Sequence, residues 1–159
     1  MGYESKVNLS IAFPNAEVAD KVWSAYTNDP LYLEYVKEGP LDWERLTHRK
    51  GYVCFNYSSD KDLDSNCGWL KWYHSSEDKR TAVYELLEMT AYKMEAPFAF
   101  KVMRIGEDIR DCEEECWSSE ACQEEEFEGF NDDPCYGLEL GGLIYRDFDL
   151  IFARDWRAE

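Results

Sequence analysis

The chain of 159 residues has the length of one domain, and its 45% hydrophobic and 16% aromatic content is enough to build a buried core. Its 34 acidic and 17 basic residues give a net charge of −17, which disfavours binding to nucleic acid or anionic membranes and favours basic protein partners. The first residues lack an apolar signal region, and no apolar run approaches the ~20 residues that cross a bilayer, so we expect a cytoplasmic protein.

The first part of the chain predicts a strand and two helices. Residues 7–13 alternate between apolar and small or polar side chains, which is typical of a half-buried strand. Asn15 is placed to cap a helix over residues 18–26, where apolar residues recur at helical spacing. Asp29-Pro30 then predicts the start of a short helix that ends at Gly39-Pro40.

The middle of the chain predicts a hairpin, a helix and a strand. Residues 43–48 and 52–57 are rich in aromatic and β-branched side chains and are joined at Lys50-Gly51, as in a hairpin. Ser75 and Asp78 have the spacing of a capping box and predict the start of a helix that Pro97 ends. Its buried stripe is predicted to be Val83, Leu86, Leu87 and Met94. Residues 98–105 predict a strand, and residues 138–152 predict final strands around Gly141-Gly142.

Taken together, these elements predict an α+β fold. The order of strands and helices matches a ferredoxin-like antiparallel sheet with two main helices on one face, to which an acidic insert and C-terminal strands are added. We expect a single domain over residues 1–159, with the acidic insert at residues 107–133.

The acidic insert concentrates the charge of the chain. Its 27 residues carry −12 of the net −17, with Arg110 as its one basic residue. A uniform coat of charge for solubility would not be localised in this way. The carboxylates predicted to bind a partner are Glu107, Asp108, Asp111, Glu113, Glu114, Glu115, Glu120, Glu124, Glu125, Glu126, Glu128, Asp132 and Asp133.

The acidic insert also contains residues that predict helical folding. Ile109, Cys112 and Cys116 share one helical face, and Ser118 or Ser119 could cap a second short helix. A helical insert would extend about 40 Å. Its net charge would then be spaced at roughly one per 3.4 Å, comparable with one strand of duplex DNA.

This charge pattern predicts a non-enzymatic protein that docks on a basic surface of a nucleic-acid-binding protein. In size and charge the chain resembles small acidic phage proteins that block restriction, CRISPR or other DNA-handling enzymes. That resemblance implies a DNA-mimic inhibitor of a host defence system, acting in the host cytoplasm if the chain is phage-encoded. The alternatives are a structural or oligomerising domain that is acidic for solubility, and a small metal-assisted hydrolase.

Metal and catalytic motifs are incomplete. Asp60, Asp62 and Asp64 match the first ligands of a calcium loop, but the turn glycine and the last glutamate are replaced. Cys112, Cys116, Cys122 and Cys135 lack the paired spacing of a zinc site, and without a signal region we expect all six cysteines to be reduced. His48 and His74 do not form paired phosphoesterase motifs. We therefore expect no catalytic residue, no cofactor and no metal.

One aromatic group has two interpretations. Trp69, Trp72 and Tyr73 precede the second long helix. They pack in the core or form an exposed anchor in an interface, where Trp and Tyr are enriched.

Overall fold

A computed structural model describes residues 4–47, 51–59, 70–73, 78–107 and 111–119, and these form a mixed α and β structure. The strands are β1 (Ser5–Phe13), β2 (Glu44–Thr47), β3 (Val53–Ser58), β4 (Ala99–Gly106) and β5 (Cys112–Ser118). The helices are α1 (Ala16–Thr27), α2 (Pro30–Tyr35), which continues into a 3-10 turn (Val36–Glu38), and α3 (Lys79–Lys93). The predicted strands at 138–152 lie outside the described residues.

The strands form one sheet in the order β2-β3-β1-β4-β5, in which every neighbouring pair is antiparallel. The predicted hairpin is confirmed by the pairing of Arg45 with Phe55 and of Thr47 with Val53. β1 lies in the centre, where Leu9 pairs with Tyr57 on one side and with Val102 on the other. The chain therefore crosses from β3 over the sheet through α3 before it returns as β4 beside β1.

The main core lies between the helices and one face of the sheet. Sheet residues such as Leu9 and Phe13 are at most 2% exposed, as are Val22 of α1 and Leu87 of α3. Burying side chains of this size contributes about 1.5–3 kcal/mol each. This packing, more than helix propensity, holds α1 and α3 on the sheet.

The half-buried character predicted for β1 is wrong, because both of its faces are buried. Val7, Leu9, Ile11 and Phe13 face the helices, as predicted, but Asn8 and Ser10 on the opposite face are only 4% and 5% exposed. Ser10 finds a polar partner there, since its Oγ lies 2.9 Å from Sγ of Cys54. Small polar side chains that bond to neighbours can be buried at little cost.

An aromatic cluster joins the helices to the loop before β2. The Tyr26 hydroxyl donates to the carbonyl of Val83 at 2.7 Å and accepts from Nε1 of Trp43 at 3.1 Å. Tyr57 and Tyr84 stack with ring centroids 4.0 Å apart, and Trp72 packs against both rings. Trp72 is thus half-buried and packs against the core. Tyr73 is 36% exposed, and Trp69 lies outside the described residues.

The boundaries of α3 differ from the predicted ones. The helix begins at Lys79, with Asp78 itself as N-cap: its Oδ1 accepts from the backbone N–H of Thr81 at 3.0 Å. Ser75, the predicted cap, lies outside the described residues and four positions before the helix. Val83, Leu86 and Leu87 are buried as predicted, but Met94 is 43% exposed because the helix has already ended.

The Asp78 cap can be tested by substitution. We expect Asp78→Ala to lower the free energy of unfolding by about 1 kcal/mol, because a backbone N–H at the start of α3 loses its acceptor. Urea denaturation measures the change. Asp78→Asn retains an acceptor and should lose little, and Ser75→Ala should have no effect. A larger loss in Ser75→Ala than in Asp78→Ala would contradict the assignment.

None of the helices in the described ranges is long and apolar enough to cross a membrane.

Candidate functional site

The predicted partner-binding carboxylates are only partly described. Side chains are described for Glu107, Asp111, Glu113 and Glu115, while Glu114 is placed in β5 by its backbone. Glu107 accepts a hydrogen bond from the backbone N–H of Glu4 at 2.7 Å. The carboxylates that lie outside the described residues are Asp108, Glu120, Glu124, Glu125, Glu126, Glu128, Asp132 and Asp133.

The helix predicted around Cys112 and Cys116 is wrong, because these residues lie in strand β5. β5 pairs with β4 from Ile105↔Cys112 to Ala99↔Ser118, and these backbone hydrogen bonds outweigh the low strand propensity of glutamate. Seven strand residues extend about 23 Å, about twice the length of a helix with as many residues. A strand also divides consecutive carboxylates between its two faces, so the DNA-like spacing inferred for a helix does not apply to β5.

Arg104 of β4 forms ion pairs with two of the predicted carboxylates. Its guanidinium bonds Asp111 through two nitrogens at 2.7 and 3.2 Å, Glu113 at 3.1 Å, and the hydroxyl of Ser5 at 2.9 Å. Hydrogen bonds to Glu113 and Asp111 raise the pKa of Arg104 above its usual value. Part of the acidic insert is therefore neutralised within the protein, and Arg104 links Asp111 and Glu113 to β4.

Glu115 belongs to a second acidic group, on the helix side of the sheet. It pairs with Val102, which packs against the core beneath the helices, and its own side chain is exposed. α3 contributes Glu85 and Glu88 to the same region, since the negative charges of Glu115 and Glu85 both act on Glu88. The candidate surface thus spans β5 and α3, and its carboxylates come from two elements.

The pKa of Glu88 departs clearly from the usual value of a glutamate. Burial raises its pKa to about 7, and the charges of Glu115 and Glu85 add to the increase. Glu88 is therefore only partly ionised at neutral pH. A cation placed beside these three carboxylates would favour the ionised form and lower the pKa of Glu88.

Met89 and Tyr92 place apolar surface beside these carboxylates. With Glu85 and Glu88 they occupy positions i, i+3, i+4 and i+7 of α3, which form one helical face. Met89 is 44% and Tyr92 65% exposed. We call the surface formed by Glu85, Glu88, Met89, Tyr92 and Glu115 the acidic-apolar face.

The α3 part of this face was not predicted from the sequence. Residues 85–92 already show the helical spacing, but their proximity to Glu115 depends on how α3 packs on the sheet. The density of charge along the sequence predicted a binding surface in the acidic insert alone. A search for large apolar residues on the polar side of α3 would have found Met89 and Tyr92.

Cys54 is the one cysteine whose side chain is described. It is fully buried, donates to Oδ1 of Asn56 at 3.0 Å and lies beside Ser10. Burial raises the pKa of its thiol to about 12, so the nucleophilic thiolate does not form at neutral pH. Cys54 is free, as expected for a reduced thiol.

The metal motifs are largely beyond the described part of the chain. Asp60, Asp62, Asp64, Cys122, Cys135 and both histidines lie outside it. Among the described residues, no group of three or more His, Cys, Asp or Glu side chains is arranged to hold a metal ion.

The described elements define an antiparallel sheet with three helices and an acidic-apolar face next to strand β5. Comparison of the chain with protein-family models, curated proteins and solved structures found no match.

Proposed function

We propose that this chain is a non-enzymatic acidic binding protein that docks on a basic surface of a nucleic-acid-binding protein, where it imitates DNA. The observation that carries the proposal is the concentration of −12 of the net −17 charges in residues 107–133. The biological role in this proposal is inhibition of a host defence system of the restriction or CRISPR type. Cytoplasmic location, in the host cell if the chain is phage-encoded, belongs to the same proposal.

The exposed carboxylates of β5 support this proposal. The side chain of Glu113 is 70% exposed although it bonds Arg104, and Glu115 is exposed as well. Alternate strand residues are about 6.6 Å apart, so Glu113 and Glu115 place two carboxylates on one face of β5 at about half the linear density of one DNA strand, although Arg104 offsets part of the charge of Glu113. In this proposal, the other carboxylates of the acidic insert supply the additional negative charge that imitation of a DNA strand requires.

We also propose that the fold is ferredoxin-like. The support is the element order β-α-β-β-α-β over β1 to β4, with α2 as an addition after α1. Strand order β2-β3-β1-β4 with antiparallel neighbours fits that class, and β5 extends the sheet beside β4. The fold itself carries no function, so the functional proposal depends on the charge alone.

Cleavage of plasmid DNA by a panel of restriction and RNA-guided nucleases tests the functional proposal. We expect the purified chain to inhibit at least one of them, and we expect the inhibition to weaken at least tenfold between 50 and 200 mM salt, since docking of opposite charges is screened. Lysine substitution of Glu113, Glu114, Glu115, Glu124, Glu125 and Glu126 should abolish the inhibition.

A matched variant controls for net charge. Lysine substitution of six exposed carboxylates elsewhere, Glu17, Asp20, Glu34, Glu38, Glu44 and Glu95, changes the net charge equally and should leave most of the inhibition. Thermal unfolding of both variants establishes that they fold. Equal loss in both variants, or undiminished inhibition by the insert variant, would refute a specific role of the insert. Failure to inhibit any nuclease of the panel would count against the DNA-mimic role.

A further inference from the structure

Two large apolar side chains lie where an ordinary surface helix carries polar ones. Met89 and Tyr92 are exposed on the outer side of α3, while its inner side is buried through Val83, Leu87 and Ala91. Met and Tyr are enriched in the centre of protein interfaces, and Met adapts its shape to different partners. Single exposed apolar residues are common, but these two are neighbours on one helical face.

The charges around these residues define the partner that fits. Glu85 precedes Met89 by four positions, Glu88 precedes Tyr92 by four, and Glu115 adds a carboxylate from β5. None of the described ion pairs involves Glu88 or Glu115. Carboxylates around an apolar centre complement a segment that carries apolar anchors between lysines or arginines.

We infer that the acidic-apolar face docks a basic amphipathic helix of a partner protein, with its apolar side chains on Met89 and Tyr92 and its cations beside Glu88 and Glu115. The inference rests on the proposed function and names the chemistry of the partner. DNA imitation by charge alone would need no apolar contact. An apolar component gives such docking an affinity that salt does not remove.

Two synthetic peptides of equal charge serve as probes. One carries leucines at positions i, i+3, i+4 and i+7 among lysines, and the other has serine in place of each leucine. We expect the leucine peptide to bind the full chain at least tenfold more tightly, as measured by fluorescence anisotropy at 200 mM salt. The double variant Met89→Ser, Tyr92→Ser should lose most of that preference. The double variant Glu88→Gln, Glu115→Gln should weaken both peptides.

Leu33→Ser is the matched control, because Leu33 is 48% exposed on α2 and does not belong to the acidic-apolar face. It should bind both peptides as the wild type does. Equal binding of the two peptides by the wild type would overturn the inference. So would an unchanged preference in the Met89→Ser, Tyr92→Ser variant.

The remaining outcomes separate this inference from the proposed function. One outcome is that the lysine variant of residues 113–115 and 124–126 loses peptide binding while the Met89→Ser, Tyr92→Ser variant and the Glu88→Gln, Glu115→Gln variant keep it. In that case the inference fails and the charge-based function stands. If neither peptide binds the wild type, both fail. Self-association of the wild type that the Met89→Ser, Tyr92→Ser variant abolishes would assign the face to a second copy of the chain, which also overturns the inference.

Discussion

Replacement of Arg104 by methionine is expected to lower the free energy of unfolding by about 2–3 kcal/mol. The side chain of Arg104 is only 15% exposed and holds Asp111, Glu113 and Ser5 through charge-assisted or polar hydrogen bonds. Methionine retains the apolar stem but leaves two carboxylates close together without their cation. Glu113 is 70% exposed and recovers solvation, so most of the loss comes from Asp111 and Ser5. Urea denaturation at neutral pH measures the change.

The opposite edge of the sheet provides a control for this substitution. Arg45 of β2 bonds Asp20 at 2.8 Å, but both side chains are well exposed, so Arg45→Met should cost less than about 1 kcal/mol. Adding Asp111→Asn and Glu113→Gln to Arg104→Met should restore part of the lost stability, since the uncompensated charges are then removed. Equal costs for Arg104→Met and Arg45→Met would show that the bonds from Arg104 to Asp111 and Glu113 add no more stability than an exposed ion pair.

The cluster around Arg104 also explains why sequence patterns misassigned β5. Cys112 and Cys116 are four apart, which fits a helical face, and glutamate favours helices over strands. The decisive contacts are with β4: backbone pairing along the strand, and Glu113 opposite Arg104. Such cross-strand partners lie in another segment of the chain, so the residue spacing within residues 112–118 does not reveal them.

Local patterns were sufficient where local chemistry sets the structure. Asn15 caps α1 by accepting from the N–H of Val18, and Asp29 with Pro30 starts α2, both as predicted. Gly39 follows the 3-10 turn with φ of 148°, a backbone conformation that favours glycine. Ser75 and Asp78 are both good cap residues, so the sequence offered two starts for α3 and the predicted one was wrong.

Burial was harder to predict than secondary structure. The alternation in β1 correctly identified the side that faces the helices, but it could not reveal that Asn8 and Ser10 are buried on the other side. Likewise, the count of charges along the sequence identified the acidic insert, but it could not reveal that Glu115 lies close to Glu88. Both features depend on which elements pack together, and that is not encoded in the period of a single segment.

Glu88→Gln is expected to stabilise the protein by about 1–3 kcal/mol at about pH 8 and to change little at about pH 4.5. Burial, Glu115 and Glu85 raise the pKa of Glu88 from 4.5 to about 7 in the folded protein. The folded state therefore binds more protons than the unfolded state between these values. The wild type consequently loses stability relative to Glu88→Gln as the pH rises through this window, and the loss is complete above about pH 7.

Denaturation of the two proteins across this pH range measures the difference, with Glu38→Gln as a control at an exposed site. A constant difference between wild type and Glu88→Gln at all pH values would contradict the raised pKa. Glu115→Gln should lower the pKa of Glu88, because it removes one of the charges that raise it.

The raised pKa of Glu88 also links stability to binding. A basic helix docked beside Glu88 favours its ionised form, so peptide binding near pH 7 should release protons. Calorimetry in buffers of different ionisation enthalpy would detect that release, and we expect it to disappear in Glu88→Gln.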